Sequence, residues 1–265
     1  MKLVIDVGNT RVTVALFEDD VIVKQESIEE KHKYSTAYFS TFFKNFVGNY
    51  NFDACYLSSV VPNISYFINS CLKKDYPEIS LVTISPELKS NVKYNVNNPS
   101  EIGADLIGDL AIGKEKYGYP LLICDLGTAS KVLLIDDSGE FKSCVIFPGM
   151  TLSMRTLAGN TALLPHIDVN ACQTILGKDT IDAMNAGVVY SHIYGLEGIC
   201  QQFEKEIGYK CKRVITGGCA CKIADMIPPN YIFDKDFLLL KISSLFSLFI
   251  LLWFNCFFWF LLPWF

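Results

Sequence analysis

Twice in this chain an apolar strand runs straight into an aspartate, and that repetition constrains the fold more than any other feature. In Lys2 to Glu18, KLVIDVGNTRVTVALFE, Asp6 follows Leu3-Val4-Ile5, and Val7, Gly8 and Thr10 lead into the alternating apolar Val12, Val14 and Leu16. In Leu121 to Ser130, LLICDLGTAS, the same order returns with Asp125, Gly127 and Thr128, and Val132 to Ile135 then runs into the turn Asp136-Asp137-Ser138-Gly139. A carboxylate at the end of a buried strand is costly unless it holds a metal or a hydrogen-bond network. The glycine lets backbone N–H groups come close to an anion, and the threonine adds a donor, so the pattern suits phosphate and metal. Read alone, either copy is equally an ordinary Asp-x-Gly hairpin turn. Two copies half a chain apart imply two homologous halves facing each other across a nucleotide cleft. They are not in strict register, since Thr10 lies four residues after Asp6 and Thr128 three after Asp125.

A length of 265 residues accommodates two such domains. The net charge is −5 with no basic block, so the electrostatic footprint of a nucleic-acid binder is missing and a small anionic ligand must be held locally. Ten cysteines are scattered without a CxxC pair, and Asp6 stands where a signal peptide needs an apolar run, which points to reduced thiols in the cytoplasm. His32, His166 and His192 lack the spacing of metal ligands and read as structural or solvated.

Along the first half, a strand at Val21 to Gln25, a helix over 34–48, a strand from Asp53 to Val61, a helix opened by Pro62 and a strand from Ser80 to Ile84 alternate in the manner of an α/β fold. Residues 94–113, YNVNNPSEIGADLIGDLAIG, break structure at Asn97-Asn98-Pro99 and then place Asp105 in the first turn of an apolar helix, Leu106 to Ile112. A helix N-terminus suits phosphate or a substrate carboxylate. Asp105 is explained as well by simple complementation of the helix dipole.

In the second half, Pro148-Gly149 turns a strand into a helix over Met150 to Asn160, and Gly177-Lys178-Asp179-Thr180 precedes a long helix to about Ile207, with Thr180 as N-cap or ligand donor. Val214-Ile215-Thr216-Gly217-Gly218 is a strand entering a glycine pair, where a purine or ribose could lie against the backbone, or a plain tight turn.

The ordered set DVGNT (Asp6 to Thr10), NPSEIGAD (Asn98 to Asp105), DLGTA (Asp125 to Ala129), PGMTLSMRTLAGNTALLP (Pro148 to Pro165), GKDT (Gly177 to Thr180) and TGG (Thr216 to Gly218) resembles type III pantothenate kinases, of the acetate and sugar kinase, heat-shock and actin superfamily. The resemblance covers about residues 1–241. It implies duplicated RNase-H-like (actin-like ATPase) halves, 1–118 and 119–241, and a homodimer whose pantothenate site is completed at the subunit interface. By resemblance, the loop Asp6, Val7, Gly8, Asn9, Thr10, Arg11, Val12 and Thr13 and the side chain of Thr128 would bind ATP. Asp125 would hold a monovalent cation, K⁺ or NH₄⁺. Gly103, Ala104, Asp105, Leu106 and Thr180 would contact pantothenate, with Asp105 as general base and Mg²⁺ on the ATP phosphates. An alcohol ionises far above neutral pH, so a carboxylate that accepts its proton late in the transfer is chemically apt.

Two departures stand out. The family pattern Gly-x-Asp-Arg is broken by Leu106, and the aromatic residue seven positions before that glycine is replaced by Val96. The ending also differs: Asp234 to Lys241 fits the family's closing strand, but residues 242–265 carry no charged side chain. By length they make a transmembrane candidate, and their aromatic crowding looks more like a shifted reading frame. The activity implied is ATP-dependent phosphorylation of pantothenate. The alternatives are a non-catalytic nucleotide or pantothenate sensor on the same fold, and a kinase for another small hydroxy acid. No membrane partner is expected unless the tail is genuine.

Overall fold

The computed structural model describes residues 1–18, 21–29, 34–85, 87, 90–235 and 237. They fall into two compact units, the first built from Met1–Ser90 with Asn98–Gly108, the second from Asn91–Asn97 with Asp109–Leu238.

In the first unit, β1 (Lys2–Val7), β2 (Val12–Glu18) and β3 (Val21–Ile28) form an antiparallel meander, and β4 (Ala54–Ser59) and β5 (Ser80–Thr83) add in parallel on the other side of β1. The sheet order is β3-β2-β1-β4-β5. Its crossover helices are α1 (Thr36–Val47) and α2 (Pro62–Asp75). Helix α1 starts where the Ser35 hydroxyl accepts a hydrogen bond from the Tyr38 N–H, and stops at Gly48, whose φ of 56° few other residues adopt. Phe39, Phe43 and Phe46 recur at helical spacing on its buried face and meet Ile64, Ile68 and Leu72 of α2 in one core. Each such side chain stabilises by about 1.5–3 kcal/mol when fully buried.

The second unit repeats this plan. Strands β7 (Leu121–Leu126), β8 (Ala129–Ile135) and β9 (Glu140–Pro148) form the meander, and β10 (Lys212–Thr216) and β11 (Ile232–Phe233) add in parallel beside β7. The two-residue β6 (Lys93–Tyr94) extends the edge, giving β11-β10-β7-β8-β9-β6. One face of β7 and β8 packs on α4 (Met150–Gly159), α5 (Thr180–Ile207) and α6 (Gly218–Lys222) through Leu122, Cys124, Val132, Leu134, Met154, Val189 and Leu196. The opposite face lies under α3 (Ala104–Tyr117): a Cβ on Gly113 would fall 2.4 Å from Ile123 Cδ1. The two sheets thus share one order, a meander followed by two parallel strands, which is the actin-like, sugar-kinase type of α/β architecture.

Several local expectations shift. Helix α3 begins at Ala104 and runs on to Tyr117, because Lys114 donates from its ammonium to the carbonyls of Asn91 (2.8 Å) and Gly139 (2.7 Å) and so fastens the last turn. The N-cap of α5 is Asp179, whose carboxylate accepts from the Asp182 N–H at 2.8 Å; Thr180 is the first helical residue. Asp234 and Lys235 follow β11 rather than forming a strand, and 236, 238–241 and the apolar tail 242–265 lie outside the described residues. Among the described residues no helix is long and apolar enough to cross a membrane. His192 is buried between the carbonyls of Val188 and Pro148, each 2.9 Å from a ring nitrogen, a structural role; His166 is exposed and His32 is not described.

Candidate active site

In the first unit, β1 delivers Asp6 to the C-terminal end of the strand, where its register partners are Thr13 on β2 and Ser58 on β4. Register partners share a face of the sheet, so two hydroxyl-bearing side chains flank the half-buried Asp6. The hairpin then turns through Gly8–Arg11, closed by the Gly8 N–H donating to the Arg11 carbonyl at 2.9 Å. Asn9, Thr10 and Arg11 are exposed, whereas Val7 and Val12 are buried and can offer a ligand only backbone groups. Arg11 is held at the surface by Glu29, with Nε at 3.0 Å and Nη2 at 2.7 Å from one carboxylate oxygen. The Thr13 hydroxyl is 3.1 Å from that of Ser27.

The same unit holds the start of α3. A 3₁₀ turn, Pro99–Glu101, braced by Asn98 Nδ2 donating to Glu101 at 2.8 Å, leads through Ile102 and Gly103 into the helix. Asp105 is half-buried in the first turn, and its carboxylate curls back over Gly103: a Cβ there would lie 2.6 Å from Asp105 Oδ1. Gly103 therefore admits the carboxylate to the N-terminal end of the helix, beside the N–H groups of the first turn. Leu106 is half-buried next to it.

In the second unit the corresponding aspartate is Asp125, at the end of β7, with register partners Lys131 on β8 and Thr216 on β10. Three segments converge on the turn that follows. The Gly149 N–H donates to the Thr128 carbonyl at 3.0 Å, and a Cβ on Gly149 would lie 2.3 Å from the Gly127 carbonyl oxygen. On the other side Gly217, at φ 102°, presses on Leu126, whose backbone would lie about as close, 2.5 Å, to an added Cβ. Thr128 itself is exposed at the tip, between the starts of α4 and α6, while Thr180 is exposed in the first turn of α5.

Asp6 to Thr13 and Gly103 to Leu106 thus belong to the first unit, and Asp125, Thr128 and Thr180 to the second. Two features had not been singled out from the sequence. One is the close-packed glycine cradle made by Gly149 and Gly217. The other is Lys131, whose ammonium lies 2.9 Å from Asp125 Oδ2 with both side chains below one-tenth exposed. Its signal is a lysine as the one charged residue of a strand, six residues after an aspartate across a tight hairpin. Among the described residues no group of three or more His, Cys, Asp or Glu could hold a metal.

A family model for type III pantothenate kinase matches residues 2–202. A type III pantothenate kinase from Agathobacter rectalis is 34% identical over 249 residues, 92% of this chain and 95% of that one. One from Listeria monocytogenes is 34% identical over 248 residues, 91% and 94% of the two chains. Solved structures agree in fold. A protein from Campylobacter jejuni described as a conserved Baf-family transcriptional activator superposes with a TM-score of 0.57 at 16% identity, covering 92% of this chain and 97% of its own. A Listeria monocytogenes protein described as an N-acetylmannosamine kinase gives 0.53 at 11% identity, covering 93% and 98%.

Proposed function

Because the chain belongs to the type III pantothenate kinase family, it is an enzyme that phosphorylates pantothenate at the expense of ATP in coenzyme A biosynthesis, and we propose that Asp105 is its general base. The observation that carries this assignment is the carboxylate of Asp105 folded over Gly103 at the mouth of α3. The primary hydroxyl of pantothenate is assigned to the side of Asp105, with Gly103, Ala104 and Leu106 as the walls of that end of the site, and Thr180, which belongs to the second unit, is assigned to the same substrate as a donor. The primary hydroxyl attacks the γ-phosphorus, the bond from that phosphorus to the β,γ-bridging oxygen breaks, ADP leaves with the electron pair, and the hydroxyl proton passes to Asp105.

The turn Asp6 to Thr13 and the Thr128 side chain are assigned to the ATP phosphates, the first through the N–H groups of its Gly8 hairpin. The donors around Asp6 are hard oxygens, one carboxylate with Thr13 and Ser58 beside it. That set fits Mg²⁺, which is commonly held by one or two carboxylates plus phosphate and water, and which neutralises the phosphate charge when bound. The donors around Asp125 do not fit a monovalent cation in the same way, since its carboxylate already bears on Lys131.

We further assign the duplicated halves to 1–118 and 119–241, on the strength of the matching strand orders, with β6 and α3 from Asp109 packing into the second unit. A homodimer is supported by the exposed apolar side chains Leu152 and Leu157 of α4, Leu163 after it, and Ile181 and Tyr194 of α5. A cytoplasmic setting is supported by nine free cysteines among the described residues. For Asp105, the test is the Asp105→Asn variant. Its turnover of pantothenate and ATP is expected to fall by at least about 10²-fold while calorimetric affinity for both ligands stays near that of the parent. A turnover within a few-fold of the parent would reduce Asp105 to a helix-dipole residue.

A further inference from the structure

The strand ends that carry Asp6 and Asp125 are built alike, but the residue across the hairpin differs in charge. Opposite Asp6 stands Thr13; opposite Asp125 stands Lys131. The Lys131 ammonium lies 2.9 Å from Asp125 Oδ2, and both side chains are more than nine-tenths buried. The other neighbour in register, Thr216, has a fully buried hydroxyl that makes no hydrogen bond, so the carboxylate is turned to the lysine and not to the threonine. The pair lies on the face of β7 shared with Leu121 and Ile123, which α3 covers at Gly113. Asp109, four residues before Gly113 and so on the same side of α3, is fully buried. Lys131 thus stands as a fixed positive charge beside Asp125 on a sheet face covered by a helix that carries the buried Asp109.

We propose that Lys131 is the built-in counter-cation of Asp125, occupying with a covalently tethered ammonium the place that a free potassium or ammonium ion would take, so that phosphoryl transfer in this chain does not depend on a monovalent cation. The substitution is chemically direct, because an alkylammonium head carries the same charge as K⁺ or NH₄⁺ and is close to them in size. A second monovalent ion at the same carboxylate would meet the ammonium's like charge where little water screens it. Lys131 acts through Asp125 and is a positioning residue. The proposal rests on the kinase reading for its consequence in turnover, and on the ion pair alone for its consequence in ion binding.

The experiment compares full-length protein with its Lys131→Met and Lys131→Arg variants in three buffers of equal ionic strength whose sole monovalent cation is potassium, sodium or choline. Pantothenate turnover and the thermal unfolding midpoint are both read. The parent and Lys131→Arg should turn over within about twofold of themselves in all three buffers, with the same midpoint. In choline, Lys131→Met should be slower than the parent by roughly tenfold or more, and potassium should restore its rate and raise its midpoint, as a ligand bound only by the folded state does. A merely structural lysine would give a variant that potassium does not rescue. Should Lys131→Met fail to fold in choline, its recovery in potassium is the same readout. The double variant Asp125→Asn with Lys131→Met, which buries neither charge, should fold and ignore potassium. A parent enzyme that loses most of its turnover in choline and regains it in potassium overturns the proposal. So does a potassium-dependent midpoint in the parent that Lys131→Met does not enlarge. If no buffer supports turnover by the parent, the kinase reading has failed, while the response of the midpoints still decides whether Lys131 fills the cation position.

Discussion

The two hairpins show what a duplicated fold keeps and what it lets go. Both place an aspartate at the end of a central strand, both follow it with a glycine turn, and both flank it with one antiparallel and one parallel neighbour. The first is open: Asp6 is half-buried and the turn behind it is exposed from Asn9 to Arg11. The second is closed, with Asp125 buried against Lys131 and the turn pinned between Gly149 and Gly217. The one-residue offset noted between Thr10 and Thr128 is the difference in hairpin loops, four residues between the paired Val7 and Val12 and three between the paired Leu126 and Ser130. An open turn can admit a ligand and a metal ion. A closed one has already supplied its own charge and can offer chiefly its outer rim, where Thr128 lies.

The largest expected effect of breaking this contrast is on stability. Replacing Lys131 by Met leaves the Asp125 carboxylate buried without its ammonium, a change that costs about 3–5 kcal/mol when one partner of a buried pair is removed. Thr13→Val at the matching place of the first hairpin removes only a hydroxyl contact with Ser27, and should cost under about 1 kcal/mol. Urea denaturation in choline buffer measures both. Equal costs would mean that the two hairpins are not electrostatically distinct.

Next in size is the glycine cradle. Gly217 follows Thr216 as Ser59 follows Ser58, so the two occupy matching positions beside the central strand. Ser59 carries a side chain there, which accepts from the Val61 N–H at 3.1 Å. Gly217 cannot, because its φ is 102° and a Cβ would lie 2.5 Å from the Leu126 carbonyl oxygen. Gly217→Ala should therefore cost roughly 2–4 kcal/mol through backbone strain and displacement of the Leu126 turn. Ser59→Gly should cost about 1 kcal/mol or less. Thermal melts of the two variants check the ratio.

Much of this architecture was legible beforehand, for physical reasons that differ by residue. Strand β7 and the aspartate that ends it could be read because an apolar run broken by a carboxylate has few stable explanations. Phe39, Phe43 and Phe46 could be read from helical spacing. The extension of α3 to Tyr117 was not legible, since it depends on Lys114 reaching carbonyls of Asn91 and Gly139, which are distant in sequence. The sequence offers Thr180 as a possible cap because Asp and Thr are both good caps, and only backbone geometry tells Asp179 from its neighbour. Lys131 is not legible in the sequence, where it stands beside Ser130 at the start of an apolar run; its meaning appears only when the register sets it opposite Asp125.

The smallest expected effect extends the comparison from the hairpins to the strands beside them. Counting back three places from Ser58 and from Thr216 gives Cys55 in one sheet and Arg213 in the other. Cys55 is fully buried in an apolar core, and burial pushes its thiol up, so it stays neutral throughout the accessible pH range. Arg213 is buried between two carboxylates of α5, with Nη1 2.7 Å from Glu197 and Nη2 2.8 Å from Glu204. Burial alone would raise the Glu197 pKa, but hydrogen bonds from Arg213, Gln201 and Asn230 outweigh it and hold the group at about 2. Glu204 is lowered for similar reasons, with burial opposed by Arg213, Lys210 and the Cys211 N–H. A carboxylate whose folded pKa lies below its unfolded value, about 4.3 for Glu, contributes stability that is complete above that value and is lost as pH falls toward the folded one. Acid should accordingly loosen the contact between α5 and β10 over a window from about pH 4.3 down to about 2; in the first unit the Ser40 hydroxyl also lowers Asp75 at the end of α2, so the acid-insensitive reference there is β4 and not α2. Hydrogen exchange at pH 5 and pH 3, corrected for the intrinsic rates, should show protection falling in α5 and β10 more than in β4. Because Glu197 is partly exposed and solvent screens it, the loss should be a modest fraction of the Lys131→Met effect. If β4 loses protection first, the charged strand is not the acid-sensitive one, and the contrast between the two sheets ends at their hairpins.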